Sequence, residues 1–416
     1  MKLGISAATA GIVAAAAASV SPAVAQPGVA TPQAALTFTR EERLALAPVS
    51  QALMTRNWAA AAAALPAAQA AALSPSARYA VGRFELDLGR GTVNAEQQLR
   101  GIDRILSSGA ARPGEVAALL QLQAQIYNDR REYERAEGSL NRLAQLQPND
   151  PETLALLGQL SRTRENSAQA LTLFRRSLAA SDAAGRRVPE SRYKLALALA
   201  LQGNQRESTA DLARRLVTAY PSATNWRDAL LSYRDVAQLD AAASIDLWRL
   251  LRASGALAGE RDYLAAANAF DQANLSGEAK AVLDAGVTNN MLRASEAVTR
   301  TLITRVNGRA TTERGGLAAR VASGRSAATG APARTAADLL LAHGRHADAA
   351  ELYRLAATKG GEDADLVNLR LGEALALAGQ NAEAQAALQA VGGQRAELAR
   401  LWLAWLAQRP SAPTAG

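Results

Sequence analysis

Apolar and polar residues alternate along this chain at helical spacing, and the pattern recurs. In YERAEGSLNRLAQLQPNDPETLALLGQL, residues 133–160, Ala136, Leu140 and Leu143 share one helix face, Pro148 marks its end, and Leu154, Leu157 and Gly158 begin the pattern again. A small residue of one helix and its partner twelve residues on, in a second helix, give the pairs Ala124/Ala136, Gly158/Ala170, Ala196/Ser208, Leu231/Ala243, Ala267/Ala279, Ile303/Gly315, Ala337/Ala349 and Gly372/Ala384. Successive pairs begin 34 to 38 residues apart. Four residues after each second member stand Leu140, Phe174, Leu212, Leu247, Leu283, Ala319, Tyr353 and Leu388, all apolar.

This spacing predicts helix hairpins: small residues let two antiparallel helices approach, and large residues one turn on fill the gap to the next hairpin. A single hairpin cannot bury its apolar face, whereas stacked neighbours can, so the period and the number of units follow together. Gly203-Asn204, Gly344-Arg345 and Gly379-Gln380 occupy the turn between the two helices, and Pro148 and Pro221 lie where second helices must stop.

The pattern resembles the tetratricopeptide repeat family. Leu154, Leu157-Gly158, Ala170 and Phe174 stand in the family's signature places, with good spacing over 117–391 and a looser fit over 42–107. The resemblance implies an all-α, right-handed superhelical solenoid of stacked antiparallel hairpins that binds protein segments in a concave groove. Ser161 and Arg234 depart from it at places usually apolar. The unit at 295–329 departs further, with Gly315-Gly316 inside its second helix, and is expected to be the weakest.

The expected organisation is a signal peptide at 1–25, a disordered linker at 26–39, diverged hairpins at 40–116, the repeat array at 117–391, a capping helix at 392–408 and a disordered tail at 409–416. In the capping segment AELARLWLAWLA, Trp402 and Trp405 join Leu398, Leu401 and Leu406 at helical spacing, which reads as the cover a terminal repeat needs rather than a ligand platform. Met1-Lys2, the apolar Leu3 to Val20 and Ala23-Val24-Ala25 form the signal, with cleavage expected after Ala25 and an exported, periplasmic mature chain. No later segment is long and apolar enough to span a bilayer.

Composition agrees with a helical fold: of 49% hydrophobic residues much is alanine, and aromatics are 4%. With no cysteine there is neither a disulfide framework nor a thiolate site. No Gly-x-Ser-x-Gly elbow, His-Glu-x-x-His helix, phosphate loop or dinucleotide fingerprint is present, so an enzyme is not expected, nor a cofactor. His343 and His346, with Asp348 and Glu351 nearby, flank a hairpin turn where exposed polar residues are ordinary, and a metal is not expected there. The 46 Lys+Arg against 38 Asp+Glu leave +8, but pairs such as Arg175-Arg176 and Arg214-Arg215 are dispersed, which fits a solvated face and weak association with an anionic envelope surface better than nucleic acid.

The face left for binding is that of the first helices. Polar residues there, Asn128, Arg162, Tyr193, Asp228, Asp235, Asn268 and Asp271, are the expected partner-binding set. The three aspartates lack groove cations at neighbouring register positions and would form a negative patch suited to a basic or amide-rich segment. Four lysines in the whole chain supply no basic cluster for gripping a peptide's terminal carboxylate. The expectation is thus a non-enzymatic protein-interaction scaffold of the bacterial cell envelope. The alternative is a structural envelope protein that self-associates or binds cell-wall or exported polysaccharide.

Overall fold

A computed structural model describes residues 35–409, and every regular element among them is helical. The signal segment, residues 26–34 of the expected linker and residues 410–416 of the expected tail lie outside the described residues. The chain forms two compact units that divide after Gly185. Residues 35–39 are not the end of a disordered linker: Phe38 packs on the first core cluster, and the Thr37 amide donates to Ser76 Oγ at 3.2 Å.

The first unit is four hairpins. They are α1 (Arg40–Met54) with α2 (Trp58–Ala71), α3 (Pro75–Gly91) with α4 (Ala95–Ser108), α5 (Pro113–Asp129) with α6 (Tyr133–Leu146), and α7 (Pro151–Thr163) with α8 (Ser167–Ala183). Pro75, Pro113 and Pro151 each open a helix, where the missing amide proton costs nothing. Small residues do set the helix separation. A Cβ on Gly101 would lie 2.5 Å from the Leu86 amide nitrogen and 2.7 Å from the Gly82 carbonyl oxygen, so α3 and α4 touch through backbone. Gly158 faces the Phe174 ring in the same way, its added Cβ 3.3 Å away, which joins the small and large signature positions in one contact.

The second unit contains α9 (Glu190–Gln202), α10 (Arg206–Ala219), α11 (Ala223–Ala237), α12 (Ala241–Ala253), α13 (Gly259–Gln272), α14 (Ser276–Thr288), α15 (Ala297–Ser326), α16 (Gly330–Ala342), α17 (His346–Lys359), α18 (Ala364–Leu377), α19 (Asn381–Gln389) and, after a 3-10 turn at Gly393–Arg395, α20 (Ala396–Leu406). Pro221 follows the end of α10, and Pro148 the end of α6, as expected.

One turn recurs within hairpins of both units. Arg56, Val93, Arg131, Glu165, Asn204, Asn274, Gly344 and Gly379 are left-handed, with φ between 49 and 80°. In each, the next amide reaches back five residues, as from Glu132 to the Tyr127 carbonyl at 2.8 Å and from Asn166 to Ser161 at 2.9 Å, and so satisfies a helix-end acceptor. Asn204 rather than Gly203 carries the left-handed conformation at its turn. The turn is present at Arg56 and Val93, so the hairpins before residue 117 follow the same construction as the rest.

The expected hairpin at 295–329 is instead the single 30-residue helix α15. No residue from 297 to 326 has a positive φ, so the hairpin turn is absent. Arg305 and Arg309, one turn apart, both bind Asp271 of α13 at 2.9 and 2.8 Å and carry the helix straight through the place where the turn was expected. Gly308, Gly315 and Gly316 are helical with open space around them, so a methyl group clashes with nothing. Replacing each by alanine is expected to raise stability by about 0.5–1 kcal/mol in urea unfolding. Gly277→Ala should lower it, since a Cβ there would stand 2.5 Å from the Ala342 carbonyl oxygen.

Because α15 stands alone, the alternation of helices shifts by one. Helix α15 packs on α14 and α16, and the hairpins after it are α16 with α17 and α18 with α19. The chain then returns on itself. Helix α20 covers the last hairpin, as a cap should, but it also docks on α10 and α12: Arg214 binds Glu397 at 3.2 Å, and Trp405 Nε1 donates to the Ala253 carbonyl at 3.2 Å. Just past α20, Gln408 accepts from Trp226 Nε1 at 3.1 Å and donates to the Val217 carbonyl at 3.0 Å.

Candidate functional site

The expected partner-binding residues are divided between the two units. Asn128 of α5 and Arg162 of α7 are exposed, at equivalent positions of successive first helices. Near Arg162, a cleft of about 340 Å³ between α6, α7 and α8 is lined by Glu137, Ser161, Arg164, Asn166, Gln169 and the edges of Leu157 and Leu160. Ser161, anomalous in the repeat pattern, thus borders a polar cleft, its hydroxyl donating to the Leu157 carbonyl at 2.9 Å. Arg164 spans the cleft edge with ion pairs to Glu137 and, at 3.1 Å, Glu134.

The other five residues lie in the second unit, and they do not form the negative patch expected from sequence. Asp271 is buried at 3% exposure and neutralised by Arg305 and Arg309. Its partners sit on the helix whose turn the repeat pattern misplaced. Asp235 is exposed and bound by its neighbour Arg234 at 2.9 Å. Asp228 is half-buried beside Arg227, and Arg227 itself binds Asp262 at 2.7 and 3.1 Å. Asn268 donates to the Leu264 carbonyl of its own helix at 2.9 Å. Tyr193 is buried against the edge of Tyr220, with the Arg215 guanidinium over its ring at 5.7 Å.

The largest concentration of charge is elsewhere, inside the second unit. Arg249 of α12 binds Glu278 of α14 through two hydrogen bonds of 2.9 and 3.0 Å, Asp246 at 2.9 Å, and Glu373 of α18 at 3.4 Å. Arg370, one turn before Glu373, binds Asp246 at 3.0 Å and both oxygens of Asp338 at 2.9 and 3.0 Å. Asp338 also accepts from Arg334 at 2.8 Å and from the Tyr353 hydroxyl at 2.6 Å. All these groups except Arg334 are buried. Burial alone would depress the Arg249 pKa, but Glu278, Glu373 and Asp246 more than offset it and hold the guanidinium charged. Burial pushes the Glu373 carboxyl well above its ordinary value, with the neighbouring Asp246 charge adding to the effect. Asp246 Oδ2 and Glu373 Oε1 have no hydrogen-bond partner, so the two carboxyls share the cluster's deficit of cations. Burial raises the Asp246 carboxyl as well, against the Arg370 and Arg249 charges; Glu373, whose single link to a cation is long, is the less well held in its charged form.

Repeat spacing alone misses this cluster because its pairings span up to 124 residues. A local signal exists: Asp246/Arg249 and Arg370/Glu373 are opposite charges three apart, set among Leu247, Leu250, Leu251, Leu369 and Leu371. Charged residues surrounded by leucine on every helix face must be buried or break the amphipathic pattern. Arranged as it is, the cluster ties α12, α14, α16, α17 and α18 together; its charges are spent on one another.

No family model matches the sequence, and no curated protein matches it. Among solved structures, the chain is similar to the MamA protein at 14% identity, over 42% of this chain and 91% of that one, with a TM-score of 0.33. It is similar to a tetratricopeptide repeat protein from Parabacteroides merdae at 14% identity, over 81% of this chain and all of that one, TM-score 0.33. It is also similar to the Cut9-Hcn1 tetramer of the APC/C at 13% identity, over 87% and 66% of the two chains, TM-score 0.24. At such values the fold is established by the molecule's own packing. Its recurring left-handed turn, the Gly158–Phe174 contact and the tandem antiparallel pairs make this an all-α array of helix hairpins of tetratricopeptide type.

Proposed function

We propose that the chain is a non-enzymatic scaffold of the bacterial cell envelope, exported by its amino-terminal segment, that holds segments of partner proteins on the exposed first-helix faces of its hairpins. The observation that supports this most directly is in the first unit: Asn128 and Arg162 are exposed at equivalent positions of successive repeats, and Ser161 and Arg164 of the same helix end line the polar cleft of α6 to α8. Uncharged hydrogen-bonding groups and a guanidinium on a rigid helical face suit an extended segment whose backbone needs partners. Within the second unit the exposed Asp235 and half-buried Asp228 remain candidate contacts of their own, while Asp271, already neutralised and buried, serves to hold α15 to α13. Among the described residues no helix is long and apolar enough to cross a membrane.

The test is affinity capture from envelope extract with the mature chain as bait, comparing wild type with Asn128→Ala/Arg162→Ala and with Asp228→Asn/Asp235→Asn. Defined proteins should be captured by the wild type, and the first double variant should lose them while keeping its helical circular dichroism. Capture unaffected by both pairs would remove the first-helix faces from the interaction. Sedimentation of the pure protein with washed envelope polymer, with no protein captured, would instead establish the structural alternative.

A further inference from the structure

One cleft in the second unit is lined by two arginines that no described residue neutralises. It has a volume of about 200 Å³ and lies where the end of α12, the start of α14, the middle of α15 and the α16–α17 turn meet. Arg252, Lys280 and Arg314 reach it from three different helices, and His343 and His346 from the turn. Arg252 and Arg314 form no ion pair with any described residue, in a unit where most arginines are paired. Lys280 is held by the one lining carboxylate, Asp284, at 2.9 Å. The His343 side chain is 3% exposed; its Nε2 lies 2.8 Å from Glu313 Oε1 without the alignment of a hydrogen bond, and its Nδ1 has no partner.

The backbone contributes in the same direction. Gly277, in the first turn of α14, touches the Ala342 carbonyl so closely that no side chain fits, and this contact brings the start of α14 to the cleft. The start of α17, at His346, lines it as well, without a side-chain cap. The amino terminus of α17 therefore adds its partial positive charge to the arginines, while that of α14 is already met by Glu313 through the Ser276 amide. Glu313, outside the lining, accepts from the Ser276 amide at 3.3 Å through Oε2, while its Oε1 faces His343 Nε2. Glu278 is fully occupied by Arg249.

We propose that this cleft binds a compact, multiply charged oxyanion, a phosphate group either free or as a small monoester. Its volume is that of roughly seven waters at about 30 Å³ each, enough for a phosphate and a few attached atoms but too small for a folded partner. Guanidiniums from different helices match the separated oxygens of a tetrahedral anion, and such charge-assisted hydrogen bonds are about twice as strong as neutral ones. His346 supplies an internal reporter. Burial lowers its pKa, and the Arg252 charge lowers it further, so a dianion beside Arg252 should raise it.

Phosphorus-31 NMR with inorganic phosphate and with phenyl phosphate, at matched ionic strength, tests the proposal. Saturable broadening is expected, with at least about tenfold weaker binding in Arg252→Gln/Arg314→Gln, whose exposed and unpaired side chains leave folding unaffected. The His346 proton signals should titrate at higher pH when phosphate is present. Arg175→Gln/Arg176→Gln, removing an exposed pair in the other unit, should bind as wild type does. Tighter binding of phenyl phosphate would identify an esterified ligand, tighter binding of inorganic phosphate the free ion. No saturation by about 10 mM, or equal loss in both double variants, would overturn the proposal, the second by showing that only net charge matters.

Discussion

Arg249→Met is expected to destabilise the second unit by about 3–5 kcal/mol, because it removes one cation from among three buried carboxylates while keeping most of the side-chain volume. In the folded protein Arg249 is the partner of Glu278, Asp246 and Glu373 at once, and none of these can turn to water. The reverse change, replacing all the charges by packed apolar groups, would be close to neutral, since burying the ions was itself costly. Urea unfolding followed by hydrogen exchange, which assigns the early transition to residues 186–409, measures the effect. A loss below about 1 kcal/mol would mean that the carboxylates take up protons or water at little cost, and that Arg249 does not hold the unit together.

The same cluster makes stability depend on pH in a direction opposite to that of ordinary ion-paired carboxylates. Glu373 has a folded pKa raised above 4.5, so its contribution is complete below pH 4.5 and is lost as pH rises through the higher folded value. Asp262 runs the other way. Burial would raise its pKa, but Arg227 and the Ala258 amide outweigh burial and hold it below 3.8, so its contribution is present above that value and lost on acidification. The glutamine variant Glu373→Gln cannot ionise. It should reduce the fall in stability above pH 4.5, leaving the part due to Asp246, whose carboxyl burial also raises, and leave the acid limb unchanged.

Helices and their pairing were legible in sequence because both rest on local periodicity and on small residues that permit close approach. The pair Ile303/Gly315 shows where that signal fails. Twelve residues is just over three helical turns, so one straight helix and a hairpin can present similar residue types at the two positions. What distinguishes them is the turn, and six of its eight left-handed residues are not glycine, which leaves little for sequence to mark. Once α15 is misread, Arg305 and Arg309 are placed away from Asp271, and a buried ion-paired carboxylate looks like an open groove residue. The interior cluster and the return of α20 to α10 depend on contacts between residues more than 120 apart, which a nearest-neighbour repeat does not encode.

Trp402 tests the return of the chain. Replacing it by alanine is expected to cost about 3–5 kcal/mol, through lost apolar burial and the cavity that remains, because its side chain is wholly buried and meets Trp405 edge to face at 5.3 Å. Trp405 in turn is anchored to the Ala253 carbonyl of α12 and covered by Arg409 at 4.7 Å, so loosening Trp402 should release α20 from α12 as well as from the last hairpin. Phenylalanine provides the control. Trp402 Nε1 is buried with no acceptor, so Trp402→Phe removes an unsatisfied donor along with some volume, and it should cost much less than the alanine change. Thermal unfolding ranks the two variants, and small-angle scattering of Trp402→Ala should show a larger radius as the unit opens. If alanine and phenylalanine are equally tolerated, α20 is a cover for α19 alone, and the interior of the unit is held shut by the arginine cluster without it.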